Sequence, residues 1–255
     1  MQKPYVKKLC KVSHYEVWQV DGVYVRNNIS EEFTNYGHHL TFKFIPKNEF
    51  WIDKETVPGE EQYYIDHLLA EHRFMSHGKS YDFAFNIANS IEHRERNKSE
   101  FLKSITTKDK SKVSLLSKVK KTLIKKYSGA VKVWIVNGEL VRDLFLVYFS
   151  EGGHDLVYNF IPKDEIWIDD DISPRERKLI LLHEIHERNL MRQGWGYCTD
   201  SYFNKKHPGV DNTRSAHLDA SDMEHYCRLH PEKLNEMLKG EILISNQLET
   251  KSNFS

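Results

Sequence analysis

The apolar positions fall into two kinds of run. VWQVDGVYVR (17–26) and VWIVNGELVR (133–142) are short stretches rich in Val, each with a Trp, the composition of strands, and their Asp21-Gly22 and Asn137-Gly138 pairs predict hairpin turns. A further strand is expected around Glu165–Asp169. It is followed by a helix with a well-marked start: Ser173 as N-cap, Pro174 at the first helical position and Glu176 at the capping-box position. Gly194 should end that helix. A second helix is expected around 215 to 229, with a counterpart at 82 to 96.

These elements occur twice. Sliding the chain by 116 residues matches Val12–Tyr81 to Ser128–Tyr197 without gaps, with 25 identities in 70 pairs. FIPKNEFWID (44–53) against FIPKDEIWID (160–169) is the clearest block. Beyond Tyr81 the match resumes after 16 residues inserted in the second copy, pairing AFNIANSIEH (84–93) with AHLDASDMEH (216–225). The predicted fold is α+β, in two tandem repeats, each a small antiparallel sheet followed by two helices. Expected boundaries are 1–93 for copy one, 94–126 for a linker and 127–255 for copy two. Residues 94–126 carry 12 Lys and Arg against three acids. VSLLSKVKKTLIKK (113–126) has the spacing of a short basic amphipathic helix. A solvated connector is the plain reading, a weak nucleic-acid or membrane contact the alternative.

Lys plus Arg equals Asp plus Glu at 37 each, so the chain as a whole has no electrostatic preference for nucleic acid, membrane or acidic partners. The cysteines, Cys10, Cys198 and Cys227, are sparse and unpaired in spacing. With no apolar leader and no run of about 20 apolar residues, they predict a cytoplasmic protein without a transmembrane segment. No phosphate-loop motif supports nucleotide chemistry. The four tryptophans that recur in register, Trp18, Trp51, Trp134 and Trp167, are expected in packing.

The candidate chemistry lies in ILLHEIHERNLM (180–191). On a helix, His183 and Glu187 stand one turn apart on one face, a spacing at which both reach a single metal ion. His217, at the start of the following helix, is placed to be a third ligand. Three protein ligands with an open fourth position is the arrangement of a catalytic zinc site, and Glu184 would then be free to take a proton from water. Copy one keeps His67 and Glu71 but has Leu68 for Glu184, Ala70 for His186 and Phe85 for His217. It is expected to be the non-catalytic partner.

Strand, Ser-Pro-x-Glu turn and HEIHE helix together resemble the minimal zincin metallopeptidases over Glu165 to Gly194, with Glu187 where the family's HExxH helix carries its second histidine. The resemblance implies His183 and Glu187 as ligands, Glu184 as general base, His217 or Glu224 as third ligand, and zinc or another divalent transition metal as cofactor. Further candidates are His154, His186 and, in the inserted segment 198–215, His207 with Cys198. The expected function is a metal-dependent hydrolase with the site in copy two and an unidentified substrate, a peptide bond being the class the resemblance suggests. The alternative is a non-catalytic interaction or structural protein, in which HEIHER is an exposed face of helical ion pairs or a buried polar pair against the sheet. His154 and His38, each after a glycine, fit a structural role first and a metal shell second.

Overall fold

The structure, a computed structural model, describes residues 3–56, 58–106, 112–198 and 211–252. Two compact units divide the chain: Met1–Val119 with Asn137–Ser150, and Lys120–Val136 with Glu151–Ser255. The chain is α+β, and each unit is built on a four-stranded sheet.

In the first unit Tyr5–Val12 (β1) pairs antiparallel with Tyr15–Val20 (β2), β2 runs parallel to Glu49–Asp53 (β4), and Tyr36–His38 (β3) closes the edge antiparallel to β4. The second sheet repeats the order with Lys120–Leu123 (β5), Lys132–Val136 (β6), Glu165–Asp169 (β8) and Gly152–His154 (β7). Trp18 faces Trp51 in one parallel ladder and Trp134 faces Trp167 in the other, so the sequence repeat is a repeat of register. The sheets are mixed rather than purely antiparallel. A parallel pair cannot be joined by a two-residue turn, and the Asx-Gly pairs accordingly do something else. Asp21 and Asn137 are N-caps of short helices, Gly22–Asn28 (α1) and Gly138–Leu144 (α6), accepting from the amides of Tyr24 and Leu140. Gly22 is required by close approach: its amide donates to Asp53 at 3.0 Å, and a Cβ there would overlap that carboxylate.

The central strands β4 and β8 are buried on both faces. In the first unit Phe50 and Ile52 point to a core with Tyr64, Ile65 and Leu68, while Trp51 points to one with Val20, Val25, Phe33 and Ile45. Tyr64, Ile65 and Leu68 belong to Glu61–Ser76 (α2), which packs on Tyr81–Arg96 (α3). In the second unit Ile166 and Ile168 pack on Leu179, Leu182 and Ile185 of Pro174–Arg192 (α7), which also contacts Ala216–Leu229 and Leu234–Ser252, here α8 and α9. Helix α7 starts as expected, with Pro174 first and Ser173 Oγ accepting from the Glu176 amide; Gly194, at φ +96°, follows its end. The Glu176 carboxylate, however, binds Arg228 at 2.8 Å instead of serving only as a cap. Trp51 and Trp167 are buried, each donating its indole N–H to the glutamate two residues earlier, Glu49 and Glu165.

The predicted linker contains structure. Glu100–Thr106 (α4) and Lys112–Val119 (α5) are helical, but the amphipathic pattern stops at Val119, and Lys120–Leu123 is strand β5. Lysines on an edge strand are compatible with solvent on one side. Helix α6, from copy two by sequence, belongs to the first unit. Arg142 of α6 explains the attachment: its Nη2 and Nε lie 2.6 and 2.9 Å from the carboxylate of Glu60, which Arg96 also contacts at 2.7 Å, all of them buried. Among the described residues no helix is long and apolar enough to cross a membrane.

Candidate metal centre

Helix α7 is the spine of the site. Because its start is fixed by Ser173 and Pro174 and its apolar residues Leu179, Leu182 and Ile185 face the core, His183 and Glu187 are turned inward together. Helix α8 begins after Ser215, whose hydroxyl accepts from the Leu218 amide, and this cap places His217 opposite them. His183 Nε2, Glu187 Oε2 and His217 Nδ1 converge: His183 to His217 is 3.2 Å, His217 to Glu187 is 2.9 Å and His183 to Glu187 is 3.5 Å. Tetrahedral zinc with bonds of about 2.0–2.1 Å has ligand-to-ligand edges of about 3.3 Å. The three donors present those edges without rearrangement.

His154, on edge strand β7, meets the same carboxylate from the other side, with Nε2 at 2.8 Å from Glu187 Oε1. Its Nδ1 accepts from the Leu156 amide at 3.2 Å. That nitrogen therefore carries no proton, so Nε2–H is the donor to Glu187. A metal-bound histidine keeps a proton on its other nitrogen and donates it; His154 has an amide donor there instead. His154, Glu184 and Glu187 offer atoms within 4.8 Å of one another, and the amide on its Nδ1 fits His154 better to orienting Glu187 than to binding an ion.

Glu224, on α8, has the opposite relation to His183. Its Oε2 is 3.1 Å from His183 Nδ1 and its Oε1 is 2.6 Å from Arg228. A carboxylate on the far nitrogen is what directs an imidazole's Nε2 toward a metal. Glu224 is thus placed behind His183, and His217 supplies the third of the converging donor atoms. His186 points elsewhere, to Asp219 at 2.8 Å and Glu241 at 3.0 Å, joining α7 to α8 and α9. Cys198 is in none of the converging ligand groups, and His207 lies outside the described residues.

Charges in the site are strongly perturbed. Burial alone would raise Glu187, but His154, His183 and His217 hold it well below the usual carboxylate range. His183 is raised well above the imidazole value: burial works against this, and the Glu187 and Glu224 carboxylates outweigh it. Glu224 is held at about 2 by His183 and Arg228 against the effect of burial. Glu184 moves the other way, pushed up to about 8 by burial and then by the charge of Glu187. Among the described residues its carboxyl has no hydrogen-bond or ion-pair partner. Its room comes from Gly152 on β7, where a Cβ would stand 2.7 Å from Ile180 Cγ2 and 3.2 Å from Glu184 Oε1.

Sequence reasoning missed Gly152, although the repeat alignment carries the signal: copy one has Tyr36 in register there. The Tyr36 ring lies 5.1 Å from that of His67 and 4.7 Å from that of Tyr64, covering the histidine. Glycine in copy two removes that cover.

No family model, curated protein or solved structure matches the chain.

Proposed function

We propose that the second unit is a metal-dependent hydrolase, with His183, Glu187 and His217 as ligands of zinc or another divalent transition metal and Glu184 as general base. One observation carries the reading: three donor atoms lie 2.9–3.5 Å from one another, close to the edge lengths of a tetrahedral site, beside a carboxyl group that has no hydrogen-bond partner among the described residues. A divalent cation there supplies Lewis acidity for polarising a carbonyl or phosphoryl oxygen. Glu184 takes the proton of the attacking water and returns it to the leaving group, the role for which its raised affinity for protons and its freedom from partners suit it. Glu224 and His154 fix the rotamers of His183 and Glu187. The minimal zincins, which this helix resembles, make a peptide bond the first substrate class to try.

Glu184→Gln tests the assignment, because the amide keeps the shape and cannot accept the proton. The expected outcome is full metal content with hydrolysis of a peptide library reduced at least about a hundredfold. A variant that hydrolyses as fast as the parent removes Glu184 from the reaction. A parent that binds no metal and melts higher than the variant would mark the cluster as architectural.

A further inference from the structure

The first unit, where Phe85 stands in place of the third candidate donor, contains a cavity of about 220 Å³. It lies against Glu71, Leu68 and Phe85, the copy-one counterparts of Glu187, Glu184 and His217. Its walls are aromatic. Tyr81 stacks on Phe85 with centroids 5.4 Å apart and a 24° interplanar angle, and Phe85 meets Tyr148 at 5.3 Å and 56°. Tyr81 and Tyr148 remain 45% and 42% exposed, so ring surface in this cavity is open to an occupant. Two carboxylates, Glu71 and Glu32, line the cavity, and among the described residues no lysine, arginine or histidine does.

Glu71 is ionised. Burial would raise it, but His38 and His67 hold it at about 2, and its Oε1 also accepts from Thr41 at 2.9 Å. His67 sits behind it and is itself flanked by Glu92 at 2.9 Å. His38 accepts from the Leu40 amide on Nδ1, leaving Nε2 as the side that faces Glu71. Ring faces attract cations, most strongly where water is partly excluded, and carboxylates at the same site add to that attraction.

We propose that this cavity binds an organic ammonium group, held by Tyr81, Phe85 and Tyr148 with Glu71 and Glu32 balancing its charge. The volume is below the roughly 300–1,000 Å³ of sites for drug-sized ligands, so the occupant is a small amine or an amine-bearing head group of a larger molecule. The site is independent of the hydrolase reading and survives its failure.

Calorimetric titration of the full chain tests it with choline, with the uncharged carbon isostere of choline, and with a short lysine peptide acetylated at its N-terminus. Choline binding without the peptide identifies a free small molecule as the source of the cation, peptide binding without choline a side chain. Either supports the site if Tyr148→Ala and Glu32→Gln, both exposed positions, each weaken binding about two- to fivefold. Absence of binding by both cations at millimolar concentration, equal binding of the isostere, or binding unchanged in both variants would overturn it.

Discussion

The two repeats hold the same pair of groups and use them differently. In copy one His67 contacts Glu71 at 3.1 Å and Glu92 at 2.9 Å, and the histidine side of the pair is closed by Tyr36, Leu68 and Phe85 while Glu71 faces the cavity. In copy two His183 and Glu187 keep that relation, and Gly152, Glu184 and His217 stand at the three closing positions. All three replacements act in one direction: one uncovers the histidine, one adds a carboxyl without a partner among the described residues, one adds a third donor. The shared pair with its edge-strand histidine ties helix to sheet in both copies, and on the proposed reading it is the surrounding residues that turn it into a reactive site. A polar pair retained in both copies says little about chemistry; the positions that differ around it say more.

The largest effect that would break this comparison is on stability. His67→Ala leaves Glu71 and Glu92 buried without their shared partner, and loss of one member of a buried ionic cluster costs about 3–5 kcal/mol. Chemical denaturation should show that loss with the metal content of the chain unchanged; a variant as stable as the parent would deny the architectural role.

Acid should act on the same pair. Glu71 is depressed to about 2 in the folded chain from an ordinary value of 4.5, so its contribution is complete above pH 4.5 and is lost as pH falls through about 2. The ceiling on that contribution is about 3 kcal/mol. The midpoint of denaturation measured across this range should fall with pH by less in Glu71→Gln than in the parent.

A smaller effect is expected from Gly152→Ala. The new methyl meets Ile180 and Glu184, and overpacking of this kind costs about 1–3 kcal/mol. Hydrolysis should fall further than stability, since the crowded group is Glu184. Equal, slight losses would show that Gly152 only fills a space in the sheet.

The duplication was legible because identities such as His67/His183 and Trp51/Trp167 can be compared inside one chain. Helices α7 and α8 were legible because Ser173-Pro174 and Ser215 are explicit start signals. Asp21-Gly22 and Asn137-Gly138 misled because an Asx side chain caps a helix as readily as it forms a turn, and only the parallel pairing of β2 with β4 decides between them. The place of α6 depends on Arg142 reaching Glu60, 82 residues away, which no local pattern encodes. Within the site, helical spacing gave His183 and Glu187 and the following helix start gave His217. Spacing could not separate the three converging donors from the groups around them: His154 and Glu224 are set apart by what contacts their second atoms, Leu156 N–H and Arg228, and His186 by partners on α8 and α9.

The central claim is that the residues peculiar to copy two make a metal site from a pair that in copy one is only structural. Zinc content by inductively coupled plasma mass spectrometry, on the untagged chain and on His217→Phe, which installs the copy-one residue, tests it most directly. The account expects one zinc or equivalent transition metal per chain, retained through dialysis, and its loss in the variant with the fold preserved. A parent that takes up no metal when it is offered, or a variant that keeps it, would contradict the account.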